Sequence, residues 1–264
     1  VADLARLARE DASTSVRNAA AVAVAALAPE TASTLAEELL RADAEFVRAG
    51  ACDLLAAVEG EGADSALARL AALAASDPSV RVRESALGAF EKKEGAVVDA
   101  AIRRALTDEP DPVVVAVACG LVESGARAEF LPLVRAVPDR FPGRLGADAR
   151  EAAVAALGAL ADPGDRAAIV ARTADRDPSV AWAAEKALAA AAGLAQPSPA
   201  RAGIRGAEPG DLAPVHRALD LVLTTTRGTL RVRLDTAAAP LHVSRVVAFA
   251  RAGGYDGLSW HRVV

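Results

Sequence analysis

The sequence predicts a mainly α fold: an array of about six helical pairs, then a linker, then a short strand-and-helix segment. Three observations carry this prediction. A tetrapeptide of the form Asp-Pro-x-Val recurs along the first two thirds of the chain. Alanine and leucine supply most of the apolar content, with 53% hydrophobic positions against 3% aromatic and no methionine. Beyond residue 195 the chain changes in proline and glycine content, in charge and in hydrophobic period.

The repeat is clearest at 77–87, where Asp77-Pro78-Ser79-Val80 leads into Arg81, Arg83, Ala86 and Leu87. Asp111-Pro112-Val113-Val114 and Asp177-Pro178-Ser179-Val180 repeat it. Looser copies centre on Val16-Arg17 and Val47-Arg48, and a degenerate one runs from Ala147 to Leu157. The valines at 16, 47, 80, 114 and 180 read as anchors, with gaps of 31, 33 and 34 and then 66 across two units. Such a period marks stacked supersecondary units. Each unit reads as two helices. Aspartate at the N-cap accepts from the free N–H groups of the first turn, and proline at the first helical position loses no hydrogen bond there. Partner helices are predicted near Thr34–Leu40, Ala66–Ala74 and Val97–Leu106. One helical pair cannot bury both of its faces, so neighbours must stack.

Composition excludes several classes. The apolar content is too high for a disordered chain. No run of about 18 uninterrupted apolar residues is present, so no membrane-spanning helix is predicted. Residues 1–195 carry 21 basic and 30 acidic side chains, whereas residues 196–264 carry 9 and 5. A net acidic long segment argues against a nucleic-acid partner, which requires a basic face to release counterions.

With these residues in view, the array resembles the HEAT-like repeats that carry a D-P-x-V-R-x-x-A-A-x-A-L consensus, over residues 1–193. The resemblance implies a curved helical scaffold, an α-solenoid, that holds protein partners and carries no chemistry of its own. Cys52 and Cys119 each lie five residues after an anchor valine, two units apart. Helices pack about 8–10 Å apart, which separates the two thiols by far more than the roughly 7 Å between Cα atoms that a disulfide spans. Two buried free thiols are predicted.

Residues 194–218 form a proline- and glycine-rich linker, with four prolines and three glycines between 196 and 217. The period then changes from helical to alternating. Leu219, Leu221 and Leu223 form one strand, and Leu230-Arg231-Val232-Arg233-Leu234 a second, with both arginines on the solvent face. Thr225-Thr226-Arg227-Gly228 is the turn between them. A helix follows Pro240 and carries Val243, Val246, Val247, Phe249 and Ala250. Ala252–Gly257 turns the chain, and Leu258–Val264 reads as a third strand.

Thr224–Gly228, Ala239-Pro240 with Val243 and Phe249, Gly254-Tyr255-Asp256-Gly257-Leu258, and Trp260-His261-Arg262-Val263 together resemble the start of a cyclophilin-type peptidyl-prolyl cis-trans isomerase. The likeness covers residues 219–264, three strands and one helix at the start of a β-barrel. Trp260 stands where the family has Phe, and Ala248 where it has Asn. The resemblance implies that Arg262 is catalytic and that His261 lines the substrate groove, with proline-containing proteins or peptides as substrates and neither cofactor nor metal required. His216 and His242 read as surface residues and Asp256 as a turn former. Strict alternation puts Trp260 and Arg262 on one face, so a bulge or rim position must free the guanidinium.

The function expected is therefore prolyl isomerisation, with the repeats as a protein-binding scaffold. Two other readings stay open: a scaffold with an inert isomerase-like segment, and an unrelated repeat enzyme such as a bilin lyase. Val1 and the apolar run still in progress at Val264 read as the ends of a piece of a longer product. Three strands cannot close a barrel, so the 264-residue chain by itself is expected to order 219–264 only locally and to lack isomerase activity.

Overall fold

The computed structural model describes residues 1–193 and 219–258. The chain is mainly helical, and its contacts separate it into two compact units, Val1–Pro197 and Ser198–Val264. Thirteen α-helices and two strands are present among the described residues. Twelve helices lie in the first unit, as six successive pairs: α1 (Ala2–Glu10) with α2 (Thr14–Leu27), α3 (Pro29–Leu39) with α4 (Glu45–Ala56), α5 (Ala63–Ser76) with α6 (Val80–Gly88), α7 (Ala96–Asp108) with α8 (Pro112–Ser124), α9 (Leu131–Arg140) with α10 (Ala147–Leu160), and α11 (Arg166–Arg172) with α12 (Pro178–Ala191).

The packing follows from where the apolar stripes fall. Each even-numbered helix contacts the odd-numbered helix of its own pair and the even-numbered helices of the pairs before and after. The third residue after the N-cap is a buried anchor in α4, α6, α8, α10 and α12: Val47, Val82, Val114, Ala149 and Val180. Four residues on comes a buried alanine, Ala51, Ala86, Ala118, Ala153 and Ala184. Small side chains one turn apart let the helices approach closely, and larger Leu, Phe and Ile residues complete the buried core. Phe90 and Phe130, both fully buried, are the bulkiest of them.

Two anchors read from the sequence are corrected. Val82, not Val80, is the fully buried valine of α6, and Val16 of α2 is 39% exposed. The Val80 error has a physical cause. Asp111 and Asp177 are true N-caps, accepting from the amides of Val113 at 2.9 Å and Ser179 at 3.0 Å, with proline next in the chain. In α6 the N-cap is Ser79 and the helix starts at Val80. Asp77 thus lies two residues before its cap, and its carboxylate accepts from the Ser79 amide at 2.9 Å. Its counterparts are Glu109, which accepts from the Asp111 amide at 3.1 Å, and Asp175, which accepts from the Asp177 amide at 2.9 Å. One Asp-Pro motif therefore occurs in two registers.

These three carboxylates have a second task. Arg48, Arg83 and Arg150, each the fourth residue after its cap, reach forward across the interface between pairs. Arg48 grips Asp77 at 3.1 and 3.2 Å, Arg83 grips Glu109 at 2.9 and 3.2 Å, and Arg150 grips Asp175 at 2.9 Å through two nitrogens. The same guanidinium groups reach back to carbonyls in the loop before their own helix: Ala42 and Asp43, Asp77 and Pro78, and Phe141 and Gly143. Each arginine thus joins its own loop to the start of the next even helix. The pairs are well shielded, with side-chain exposures of 4% and 8% for Arg150 and Asp175. The outer pairs Arg9–Glu38 and Arg69–Glu37 are exposed and contribute little.

Glycines set the closest approaches. A Cβ on Gly158 of α10 would lie 2.4 Å from the Ala187 Cβ of α12. A Cβ on Gly120 of α8 would meet nothing within 4 Å. Gly158→Ala is expected to lower stability by about 1 kcal/mol or more through overpacking, despite better helix propensity. Gly120→Ala is expected to raise it by about 0.5–1 kcal/mol. Urea titration of the two variants checks both signs, and equal shifts would show that helix spacing is not set at Gly158.

Cys52 and Cys119 are both free and buried. Burial pushes each thiol up to about 12, so neither supplies thiolate near neutral pH.

Candidate functional site

The residues that the sequence assigns to chemistry, His261 and Arg262, lie outside the described residues, as do Trp260, His216 and the expected third strand beyond Leu258. What is described is the scaffold that leads into them. Leu219–Thr225 forms β1 and Gly228–Leu234 forms β2, an antiparallel hairpin with Thr225 opposite Gly228. The turn closes because Gly228 adopts φ +132°, a conformation that side chains disfavour. Thr225 also holds both ends of it: its hydroxyl donates to the Gly228 carbonyl at 2.8 Å and accepts from the Arg227 amide at 3.1 Å.

The register sorts the hairpin into two faces. Leu219 faces Leu234, Leu221 faces Val232 and Leu223 faces Leu230, so six aliphatic residues line one side. The other side carries Asp220, Arg231 and Arg233, and Asp220 forms ion pairs with both arginines. This is the expected alternation. The aliphatic side is only partly covered, since Leu230 and Val232 remain 47% and 45% exposed.

Asp235 then starts the next element. Its carboxylate accepts from the amides of Ala237 and Ala238 at 3.0 and 2.9 Å. Helix α13 (Pro240–Arg251) follows, with proline at its first position and Val243 and Ser244 buried. His242 is exposed, as expected of a plain surface histidine. The helix ends in a tight turn. Gly253 and Gly257 have φ +70° and +73°, and the Gly254 amide donates to the Phe249 carbonyl at 2.9 Å. A Cβ on Gly254 would meet the Phe249 ring at 2.5 Å. Tyr255 packs edge-on against that ring, with centroids 4.8 Å apart. Gly254 is thus needed for the ring to lie against the turn, and the turn aims the chain into Leu258. Asp256 is exposed, and its amide donates to Gly253 within the turn.

Among the described residues no group of three or more His, Cys, Asp or Glu side chains could hold a metal ion, and no helix is long and apolar enough to cross a membrane. The hairpin arginines face Asp220 rather than a cleft. The forward-reaching arginines of the repeats were not assigned partners by sequence reasoning. The signal was there: a carboxylate two residues before a helix cap, 25 to 29 residues after an arginine.

No curated protein matches the chain. Residues 221–264 match the family model of the cyclophilin type peptidyl-prolyl cis-trans isomerases, and so it is to this family that the C-terminal segment is similar.

Proposed function

We propose that this protein is a peptidyl-prolyl cis-trans isomerase whose helical repeats form a HEAT-like α-solenoid that binds protein substrates. The observation that carries the reading is the family match over residues 221–264. The division is residues 1–193 as scaffold, 194–218 as linker and 219–264 as the isomerase segment.

An X–Pro bond rotates over a barrier of about 18–20 kcal/mol because twisting breaks amide resonance. The twisted amide keeps its electron pair on nitrogen and becomes a better hydrogen-bond acceptor. Catalysis requires that this state be held more tightly than the planar one. Arg262 would donate from its guanidinium to that nitrogen, and arginine suits the task because it is always charged and its donors are fixed in a plane. His261 would line the groove beside the proline. No bond forms or breaks and no proton is transferred, so the step needs neither nucleophile nor cofactor.

The repeats would raise the local concentration of a bound substrate near the isomerase segment. Six helical pairs, whose even-numbered helices pack in succession and are tied at three junctions by arginine–carboxylate contacts, support this reading. The test is made on the product of the whole gene. Removing residues 1–193 is expected to leave turnover of a short Ala-Pro peptide unchanged. It should slow a protein refolding reaction limited by X–Pro isomerisation by about tenfold or more. Equal rates on both substrates would remove the scaffold from the function.

A second reading, a scaffold without catalysis, is favoured by the shortness of the match and by the half-exposed aliphatic side of the hairpin. Absence of any isomerase rate would select it.

A further inference from the structure

The start of α2 is built like the start of α6. Ser13 caps α2 and Ser79 caps α6. The Asp11 carboxylate accepts from the Ser13 amide at 2.8 Å, as Asp77 accepts from that of Ser79. Arg17 donates to the Asp11 carbonyl, as Arg83 donates to that of Asp77. At Asp77, Glu109 and Asp175, each two residues before an even-numbered cap, the carboxylate is also gripped by an arginine. That arginine is the fourth residue after the cap of the preceding even-numbered helix. Before α10 this place holds Arg144, and the preceding helix there carries Val115 instead of an arginine. Acid and arginine thus disappear together. Asp11 keeps the acid but has no ion pair among the described residues.

A second observation falls on the same face. Val47, Leu54 and Val58 are the third, tenth and fourteenth residues after the cap of α4, and all three are buried. The third and tenth are buried in α8, α10 and α12 as well. In α2 these places hold Val16, Ala23 and Leu27. Val16 is 39% and Leu27 66% exposed, and Ala23 is half-buried. Helix α12 keeps its stripe buried with no even-numbered helix after it among the described residues. The cover therefore comes from the preceding pair, which is what α2 lacks. The terminal unit of a repeat array normally turns a polar face outward, and this stripe is apolar.

We infer that Asp11, Val16, Ala23 and Leu27 form the docking face for one more helical pair of the same repeat, encoded in the same polypeptide ahead of Val1. Its second helix lays an apolar seam over Val16 and Leu27 and presents an arginine to Asp11. Charge selects this occupant over a second copy of the chain. Head-to-tail stacking of two copies would bring α12 to this face, and the fourth residue after its cap is Ala181. Asp11 would then stay unpaired. At the junctions described, the arginine precedes its carboxylate by 25 to 29 residues. The same spacing is assigned to the arginine that meets Asp11. The pair α1–α2 is then an inner pair of the scaffold and not its end. The inference stands on the packing of the array and does not depend on prolyl isomerisation.

The first test is the coding sequence ahead of the Val1 codon. It is expected to continue in frame into an amphipathic helix with arginine 25 to 29 residues before Asp11. A start codon inside that span, or a frame without arginine there, overturns the inference. The second test is physical. A copy of residues 29–66 joined ahead of Val1 brings α4 to this face and puts its Arg48 in register, 29 residues before Asp11. Hydrogen exchange of the α2 amides is expected to slow at least about tenfold against the 264-residue chain. Asp11→Asn keeps an oxygen for the Ser13 amide and removes only the charge. It is expected to speed that exchange about fivefold or more in the extended chain and less than about twofold in the 264-residue chain. Unchanged circular dichroism of the variant separates loss of docking from loss of the fold. Exchange that does not slow, or an equal effect of Asp11→Asn in both chains, contradicts the inference. So does a concentration-dependent mass of the 264-residue chain in light scattering that Val16→Ser abolishes, since a second copy would then own the face. Any of these failures leaves the isomerase reading untouched.

Discussion

Arg262→Ala is expected to lower kcat/KM for an Ala-Pro peptide by about 10²–10³-fold in the product of the whole gene, the usual loss when a donor aimed at transition-state charge is removed. The argument is one of difference. In the planar amide the nitrogen lone pair is delocalised and accepts poorly. In the twisted amide it is localised and accepts well. A guanidinium aimed there favours only the second state, so its loss should appear in kcat rather than in KM. Arg262→Lys keeps the charge but loses the planar fork, and should recover a part of the rate only. His261→Ala should act mainly on KM if the ring lines the groove without donating to the reacting nitrogen. Equal kinetics for Arg262→Ala and the unaltered protein would remove Arg262 from the mechanism.

Arg150→Ala is expected to destabilise the helical array by about 3–5 kcal/mol. Arg150 and Asp175 are both shielded, the arginine also holds the carbonyls of Phe141 and Gly143, and Asp175 holds the Asp177 amide. Truncation strands a buried carboxylate and frees two loop carbonyls at once. The exposed pair Arg69–Glu37 is the contrast: Arg69→Ala should cost less than about 1 kcal/mol. The pair also leaves a pH signature. The Arg150 guanidinium, by hydrogen bonding to it, holds the Asp175 carboxyl below the ordinary carboxylate range. Its contribution is therefore full above the unfolded value of about 3.9 and is lost as pH falls through the depressed folded value. The unaltered chain should lose this increment in acid, and Arg150→Ala should lack it. Chemical denaturation at pH 7 and pH 3 reads both effects. A cost below about 1 kcal/mol at pH 7 would show that helix packing alone joins the last two pairs.

Much of this fold was legible in the sequence because its signals are local. Alanine at three- and four-residue spacing, aspartate before proline and the regular period gave the helical pairs over residues 1–193, and six pairs are what the chain forms. The alternation of Leu230, Val232 and Leu234 with Arg231 and Arg233 gave β2 and its two faces. What was misread depended on partners far along the chain. Asp77-Pro78 looks like Asp111-Pro112, yet Arg48, 29 residues earlier, binds the Asp77 carboxylate, and the helix starts later, at Val80 with Ser79 as its cap. The anchor moved with it, from Val80 to Val82. The assignment of His261 and Arg262 has another basis, since it rests on resemblance and on no local period.

The most direct test of the isomerase reading is exchange spectroscopy on a short Ala-Pro peptide, with and without the product of the whole gene. Uncatalysed exchange takes tens to hundreds of seconds near 25 °C. Catalysis predicts exchange shortened to well below a second at micromolar protein, and restored toward the spontaneous value by Arg262→Ala. Exchange that stays at the spontaneous rate at every protein concentration would contradict it.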